Sequence, residues 1–339
     1  MAIDPAKPFD LAYEVMPTYD RQRLDLYVKA MIPSMSRTRI QQRIGEGRVE
    51  VNGAARAANW RVLAGDMVLV RCNVPDEGAD AGKRIPLDIV YEDDDIVAVN
   101  KQSGLVVHPV GKHRHDTLLN ALYWRYKDSI PEDDAISLAN RLDQYTSGII
   151  LATKHAAAKR TLQEDFEARI PKKTYLALCR GLVADDAGEI DLPIGPELDA
   201  KDHCRMAVRT DGGGKESRTL YRVVERFAQG FTLVRLNPVT GRQHQLRVHM
   251  AALGHPLIAD PRYGGGYRLD LDDRGETVAA MERYALHAAE LTFRHPADGQ
   301  EMRLEAPLAG DLEKTVGLLR RGAVETVAGV LITLDLRRG

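Results

Sequence analysis

A charged tripeptide, Arg141-Leu142-Asp143, is followed by a small polar turn at residues 146–148 and an apolar run at residues 149–152. A turn of this composition leading into a short β-branched run predicts a loop that enters a buried strand. Asp143 would then lie at the rim of the core, where a carboxylate can meet both a ligand and a cationic partner. An Asp in such a pattern is more often a turn or cap residue, so composition alone leaves its role open.

Two other polar segments suggest binding sites that their spacing does not support. His244 and His249 are five residues apart, which points them to opposite faces of a strand and well apart on a helix. Neither an HExxH motif nor a cysteine pair accompanies them, so we predict no metal site. The glycine run at 212–214 lacks the first Gly of a phosphate-binding loop, and Glu216 stands where Ser or Thr should follow the lysine. We predict a turn there and no nucleotide site.

Five segments resemble motifs of the RluA-type pseudouridine synthases, in the order in which that family has them. They are NKQSGLVVHP at 100–109, ANRLDQYTSG at 139–148, KKTYLALCRG at 172–181, VTGRQHQLRVHMAALGHPLIADPRYGG at 239–265 and LHAAELTFRHPADGQEMRLEAPL at 286–308. Chance agreement of one segment is plausible, whereas five in order are not. The sequence departs from the family pattern at Gln102, where Pro is usual, and at Asn140, where His is usual.

The resemblance implies an α+β fold, with a largely antiparallel mixed sheet and a central cleft. It implies that Asp143 is the catalytic carboxylate, that Arg247 hydrogen-bonds it, and that Tyr175 stacks on the target base. An opposite charge at that distance keeps a partly buried carboxylate ionised. The implied reaction cleaves the N1–C1′ bond of uridine, rotates the uracil and rejoins it through C5, without cofactor or metal. Asp143 could attack C1′ or remove the C2′ proton, and both routes remain open.

The same resemblance gives Arg141 a role in exposing the substrate base. A uridine inside folded RNA must be flipped out, at a cost of roughly a few kcal/mol. Arg141 is next to the implied catalytic carboxylate and is the candidate to occupy the vacated position in the RNA helix. An ordinary salt bridge is the equally weighted alternative for this side chain.

The chain carries a net charge of −2, but its basic residues are concentrated near the N-terminus. Residues 21–71 have ten Arg or Lys against four Asp or Glu, so this unit has a net charge of +6 and the remainder −8. Counterion release depends on local phosphate contacts rather than on whole-chain charge. The distribution is therefore compatible with nucleic-acid binding.

Within this basic unit, local signals predict two helices followed by short strands. Asp20 can cap a first helix that carries Leu24 on its apolar face, and a second helix is predicted over residues 36–44. The stretch resembles the small RNA-binding domain named after ribosomal protein S-four. That resemblance implies that the second helix and the following turn face structured RNA, with phosphate contacts from Arg37, Arg39, Arg43 and Arg48.

A length of 339 residues allows a sizeable core and two domains. We predict an irregular leader (1–20), the S-four-like domain (21–73), a linker (74–85), the catalytic domain (86–310), and a C-terminal helix and tail (311–339). The catalytic domain is predicted to contain a hairpin over 87–99, helices over 116–127 and 155–169, and a strand over 172–178. Each assignment rests on local periodicity and turn residues.

The three scattered cysteines argue against a disulfide framework and fit a reducing cytoplasm. No apolar run approaches the length that a membrane span needs.

The resemblance implies large-subunit ribosomal RNA as the partner, because the appended N-terminal domain is typical of that branch of the family. Transfer RNA is the second choice, and we expect a monomer. A non-catalytic RNA-binding or ribosome-assembly factor is the main alternative, and a metal-dependent hydrolase is a distant third.

Overall fold

The computed structural model describes residues 10–32, 35, 37–71, 84–110, 113, 115–127, 129, 136–198, 205–266 and 268–325. The chain divides into two units, residues 1–80 and residues 81–339. Most of the predicted linker and the last fourteen residues, 326–339, lie outside the described residues.

The N-terminal unit packs two short helices on a four-stranded antiparallel sheet with the strand order β1-β4-β2-β3. Its elements are β1 (Asp10–Glu14), α1 (Leu24–Met31), α2 (Arg37–Gly45), β2 (Val49–Val51), β3 (Ala54–Ala55) and β4 (Met67–Arg71). Leu24, Tyr27 and Val28 of α1 are buried with Ile40 and Ile44 of α2, as the i, i+3, i+4 spacing predicts.

Two predictions for this unit are wrong. The leader was expected to be irregular, but residues 10–14 form β1 and pair along their whole length with β4. Asp20 was expected to cap the first helix, but the N-cap residue is Arg23 and it makes no side-chain cap bond. The Asp20 carboxylate instead accepts a hydrogen bond from the backbone N–H of Ala64 at 3.0 Å. In both cases the partner lies more than forty residues away in sequence, where local patterns carry no information.

The C-terminal unit is built on a sheet whose main path is β10-β13-β14-β9-β17-β8-β6-β5, with β18 added to β17 and β7 to β8. The neighbours β8 and β17 run parallel, and the other strand pairs of this sheet are antiparallel. The predicted mixed, largely antiparallel α+β fold is confirmed. The strands of this sheet are β5 (Ile89–Glu92), β6 (Ile96–Lys101), β7 (Ser137–Leu138), β8 (Ser147–Thr153), β9 (Lys172–Arg180), β10 (Ala187–Asp191), β13 (Arg218–Phe227), β14 (Phe231–Pro238), β17 (Leu286–Arg294) and β18 (Glu301–Glu305).

Helices and two small sheets complete this unit. The helices are α3 (Leu118–Tyr126), α4 (Ala156–Glu167), α5 (Gln245–Ala252) and α6 (Gly310–Arg320); the small sheets comprise β11 (Ile194–Pro196) with β12 (Met206–Val208), and β15 (Leu269–Asp273) with β16 (Glu276–Met281) and β19 (Val324–Glu325). The predicted helices over 116–127 and 155–169 correspond to α3 and α4, and the predicted C-terminal helix corresponds to α6. None of the helices within the described ranges is long and apolar enough to cross a membrane.

The loop that carries Asp143 enters β8, the most deeply buried strand of the sheet. All seven residues of β8 are buried, as the apolar run predicted. Gly148 in this strand has a φ of +109°, and a Cβ there would lie 2.1 Å from the carbonyl oxygen of Ala288 on β17. A glycine is therefore required where the two parallel strands meet. This close approach fixes the chain five residues after Asp143.

Candidate functional site

Asp143 and Arg247 lie in contact although 104 residues separate them in sequence. Nη1 of Arg247 donates a hydrogen bond to Oδ2 of Asp143 at 3.2 Å. The Asp143 side chain is 28% exposed and that of Arg247 only 4% exposed, so the carboxylate faces outward over a buried cation. The structure thus brings together the pair that the resemblance implied.

A second carboxylate, Asp260, binds the two nitrogens of Arg247 that do not contact Asp143. Its two oxygens accept hydrogen bonds from Nε and Nη2 of Arg247 at 2.7 and 2.9 Å, and Asp260 is fully buried. The Arg247 guanidinium also lies between two tyrosine rings, with Cζ 3.9 Å from the ring centroid of Tyr284 and 4.9 Å from that of Tyr263. Burial disfavours the charged form, but the hydrogen bonds and charge of Asp260 outweigh it and raise the pKa of Arg247. Arg247 is therefore a fixed positive charge.

The backbone just after Asp143 is held by buried side chains on two sides. Arg283 donates to the carbonyl oxygen of Tyr145 at 3.0 Å, and the same guanidinium is bound by Asp311 at the start of α6. The phenolic oxygen of Tyr284 accepts a hydrogen bond from the backbone N–H of Tyr145 at 3.2 Å. The position of the Asp143 loop is thus set by β17, by α6 and by the segment that precedes β17.

Lys101, the last residue of β6, also binds the backbone of the loop that carries Asp143. Its buried amine donates to the carbonyl oxygens of Gln102, Leu105 and Gln144 at 3.0, 3.0 and 2.8 Å. Burial and the nearby charge of Arg283 lower the pKa of Lys101 to about 7, while the charge of Asp143 partly offsets the shift. Three carbonyl acceptors match the three donors of the ammonium form, and they connect the NKQSGLVVHP segment to the residue after Asp143.

Tyr175 lies on β9 with its side chain mostly buried. The residue is 8% exposed and belongs to the main apolar cluster of this unit. Burial, and then the negative charge of Asp143, raise the pKa of the Tyr175 phenol. The ring is therefore a neutral, largely buried surface within electrostatic range of Asp143. Its stacking on a target base stays a prediction.

Arg141 is exposed on the same loop and has no ion-pair partner among the described residues. Its charge acts on His108, whose pKa is lowered first by burial and then by Arg141. Asn140, which replaces the usual His, turns away from the site. Its amide oxygen accepts from the backbone N–H of Leu151 at 2.8 Å, and its amide nitrogen donates to the carbonyl oxygen of Ile149 at 3.3 Å. Asn140 therefore attaches the loop to β8.

His244 is a site residue that the sequence did not identify. It is the N-cap of α5 and has a left-handed backbone with a φ of +55°. Its Nε2 lies 3.8 Å from Oδ2 of Asp143, and its Nδ1 lies 2.8 Å from the phenolic oxygen of Tyr263. That phenolic oxygen also accepts a hydrogen bond from the backbone N–H of Met206 at 3.1 Å. The Nε2 atom also lies 3.5 Å from Nη1 of Arg262, so this edge of the imidazole faces both a carboxylate and a guanidinium.

Burial lowers the pKa of His244 to about 4, and the negative charge of Asp143 offsets part of this shift. The imidazole is therefore neutral near pH 7. Its place in the sequence, three residues before Arg247, is the one signal that could have identified it, because residues three apart at the start of a helix share a neighbourhood. His249, by contrast, is buried on α5 and bonds to Thr219 and to the carbonyl oxygen of Leu192, away from Asp143.

One group in the described part of the chain has the composition of a metal site. Asp93, Asp95 and His295 present ligand atoms within 4.8 Å of one another. These atoms already have protein partners: His295 Nε2 lies 2.8 Å from Asp93, and Asp95 lies 2.8 Å from Nε2 of His155. Asp93 also accepts from the backbone N–H of Ile96. These hydrogen bonds thus connect the β5–β6 turn to His155 and His295. The absence of a metal site stays a prediction.

Arg37 and Arg48, both predicted to contact RNA, have partners within the N-terminal unit. Arg37 donates through Nε and Nη2 to the fully buried Asp25, at 3.1 and 3.0 Å. Arg48 lies 3.2 Å from Glu46 and its side chain is 15% exposed. Arg43 lies in the last turn of α2, and the side chain of Arg39 is outside the described part of that helix. Arg37 therefore has a structural role in addition to any contact with RNA.

Comparison with protein families gives two matches. The family described as RNA pseudouridylate synthase matches residues 95–252, and the S4 domain matches residues 22–68. The first range contains Asp143, Tyr175, His244 and Arg247, and the second contains both helices of the N-terminal unit.

Several similar proteins extend over nearly the whole chain. An uncharacterized RNA pseudouridine synthase of Bacillus subtilis is 37% identical over 302 residues, covering 88% of this chain and 95% of the relative. Ribosomal large subunit pseudouridine synthase D of Vibrio cholerae is 35% identical over 322 residues, covering 94% of this chain and 97% of the relative. Among solved structures, human RNA Pseudouridylate Synthase Domain Containing 1 superposes with a TM-score of 0.51 at 28% identity, covering 73% of this chain and 99% of that one.

Proposed function

The chain belongs to the RNA pseudouridylate synthase family, and on this premise we propose that it isomerises specific uridines of large-subunit ribosomal RNA to pseudouridine. The enzyme class, an isomerase that modifies RNA, follows from the family itself. The choice of RNA is supported by relatives that are named for the ribosomal large subunit and match along most of their length, and by the S4 domain at the N-terminus. Transfer RNA is the second choice. We also retain the prediction of a cytoplasmic monomer.

The observation that carries the catalytic assignment is the 3.2 Å contact between Nη1 of Arg247 and Oδ2 of Asp143. We assign Asp143 as the essential carboxylate and Arg247 as the cation that keeps it ionised and oriented. The buried guanidinium is permanently charged, and Asp260 occupies its Nε and Nη2, so that Nη1 is the nitrogen directed at Asp143. This geometry favours a single rotamer of the Asp143 carboxylate. Attack of Asp143 on C1′ and removal of the C2′ proton both require this ionised, outward-facing carboxylate, so the geometry suits either route.

Tyr175 and Arg141 complete the proposed site. A neutral, mostly buried phenol next to Asp143 is suited to contacting the face of a uracil. Arg141 is exposed, positively charged and unpaired among the described residues, so it is suited to entering the space that a flipped base leaves. The absence of an ion-pair partner in this part of the structure favours that role over the salt bridge that was its alternative.

The test is the release of tritium from RNA labelled at C5 of uridine, because rejoining through C5 displaces that hydrogen. The substrate is an in vitro transcript of large-subunit ribosomal RNA, and the wild type is compared with Asp143→Asn. This substitution keeps the shape of the side chain and removes its charge. We expect release by the wild type and none above background by the variant. Equal release by both proteins would remove Asp143 from the mechanism.

The same assay addresses the binding-factor alternative. Retention of the transcript on a filter without tritium release by the wild type would favour an RNA-binding protein that keeps the fold without the activity. Mapping pseudouridines in ribosomal and transfer RNA from a deletion strain then identifies the substrate. Loss of pseudouridine from transfer RNA alone would contradict the proposed ribosomal substrate and leave the enzyme class intact.

A further inference from the structure

Trp124, on α3 of the C-terminal unit, is an exposed aromatic side chain flanked by cations. The indole is 36% exposed, and the preceding residue, Tyr123, is 43% exposed. Cζ of Arg84 lies 5.7 Å from the centroid of the Trp124 ring, and Nζ of Lys127 lies 5.8 Å from it. Large aromatic side chains normally contribute buried apolar area, and the Tyr123 hydroxyl donates to the carbonyl oxygen of Ile136 at 3.1 Å, so the partly exposed indole of Trp124 is the surface available to a ligand.

Among the described residues, the charged groups that lie against this indole are both positive. Arg84 and Lys127 are exposed and have no carboxylate within ion-pair distance among the described residues. The nearby acidic residue, Glu92, is already bound by Arg125 at 3.0 Å and by Lys154 at 2.9 Å. An exposed indole between two unneutralised cations fits a ligand that has both a flat π-face and negative charge.

The segment that carries Arg84 also leads to the catalytic loop. Pro86 and Leu87, two and three residues after Arg84, line a cavity of about 240 Å³ together with Lys101 and Gln102. The amine of Lys101 binds the carbonyl oxygen of Gln144, the residue after Asp143. The segment that follows Arg84 thus leads, through Lys101, to the loop that carries Asp143.

We propose that Arg84, Trp124 and Lys127 form a stacking platform for a single-stranded segment of the RNA substrate. An unpaired base would stack on the indole, and adjacent phosphates would pair with the two cations, the combination that binds single-stranded nucleic acid without sequence readout. The proposal rests on the proposed function and adds a contact on the catalytic unit itself. RNA is favoured over an acidic protein because a nucleotide supplies both the π-face and the charge.

The two tryptophans of the chain, Trp60 and Trp124, make the platform directly observable. In a Trp60→Phe background, Trp124 is the sole source of indole fluorescence. We expect its emission to be quenched when the large-subunit ribosomal RNA transcript is added, in parallel with binding measured by filter retention. Unchanged emission at saturating RNA would overturn the platform. Equal quenching by polyglutamate would overturn the assignment to RNA in favour of an acidic protein.

Substitutions test how much Trp124 and the two cations contribute to RNA binding. Trp124→Ala should weaken RNA binding by at least about fivefold, and Trp124→Phe by much less, because a phenyl ring still stacks. Arg84→Ala and Lys127→Ala should each reduce the slope of log K against log salt by about one. Lys314→Ala, which removes an exposed cation on α6, is the matched control and should leave the slope unchanged. Affinity that is equal in wild type and Trp124→Ala would overturn the proposal.

The outcome also separates this platform from the proposed function. The tritium assay runs on the same samples, and Trp124→Ala should raise KM for RNA while leaving kcat near the wild-type value. Tritium release with no response from Trp124 would overturn the platform alone. If the wild type neither binds the transcript nor releases tritium, both proposals are overturned.

Discussion

Asp260 binds two nitrogens of Arg247, Nε at 2.7 Å and Nη2 at 2.9 Å, and leaves Nη1 directed at Asp143. The bidentate pair is buried, whereas Asp143 is partly exposed. Because a planar guanidinium held at two points has no rotational freedom, the position of Nη1 does not depend on the outer carboxylate. Asp260 is thus a positioning residue for the proposed active site.

Asp260→Asn should impair both activity and stability. Neutralising one partner of a buried ion pair leaves a poorly compensated charge, at a cost of roughly 3–5 kcal/mol. Tritium release should fall by more than about tenfold, and the denaturant midpoint should drop. Glu225→Gln, which disrupts an exposed pair with Arg320, is the control and should cost less than about 1 kcal/mol. An Asp260 variant as stable and active as the control would contradict the positioning role.

Gly148→Ala should destabilise the C-terminal unit. The added Cβ would lie 2.1 Å from the Ala288 carbonyl oxygen, at a residue whose φ is +109°. Steric displacement and backbone strain together should cost at least about 2 kcal/mol in the free energy of unfolding. Gly310→Ala is the matched control, since its Cβ would meet nothing within 4 Å. Chemical denaturation gives both values, and equal stability of the two variants would show that β8 and β17 can move apart freely.

His244 should make stability depend on pH in the acid range. Burial lowers its pKa to about 4 from an unfolded value near 6.5, so the unfolded state binds the proton more readily than the folded state. The resulting stabilisation is fully present above about pH 6.5 and is lost as pH falls through about 4, with a total on the order of 3 kcal/mol. The measurement is the difference in unfolding free energy between wild type and His244→Gln across this range. A flat difference would show that His244 keeps an ordinary pKa.

The activity of His244 variants tests its orientation toward Asp143. His244→Gln keeps a polar group beside Asp143 and Arg262, whereas His244→Leu does not, and both share the left-handed backbone at this position. We expect the Gln variant to retain most of kcat and the Leu variant to lose roughly tenfold. Equal activity of the two variants would leave His244 with a purely packing role.

Arginines of the N-terminal unit should separate into RNA-contacting and structural groups. Replacing Arg39 and Arg43 with Ala should weaken RNA affinity and flatten its salt dependence with little effect on folding. Arg37→Ala should instead lower stability, because Asp25 is fully buried and loses two of its hydrogen bonds. Salt titrations of RNA binding and thermal unfolding distinguish the two effects. An unchanged salt slope in the double variant would exclude α2 as the docking surface.

The local elements of the fold were predictable because their signals are local. Helices α3, α4 and α6 follow apolar residues three and four apart, and β8 follows an unbroken apolar run. Strand β1 was missed because its partner, β4, begins more than fifty residues later. Strand β19 was missed for the same reason, since two residues near the end of the chain carry no pattern until they pair with β15.

The sequence by itself determined the identity of the proposed catalytic residues, because motif residues keep their types and their order along the chain. Asp143, Tyr175 and Arg247 were all identifiable in this way. Only the tertiary structure decided how Arg247 is held and what else faces Asp143. Asp260 reaches the site through a turn after α5, Tyr284 through the segment before β17, and His244 through a left-handed cap. The spacing of three residues places His244 near Arg247, but the sequence encodes none of the distances to Asp143. Sheet pairing and helix packing bring such residues together, and both are properties of the whole folded chain.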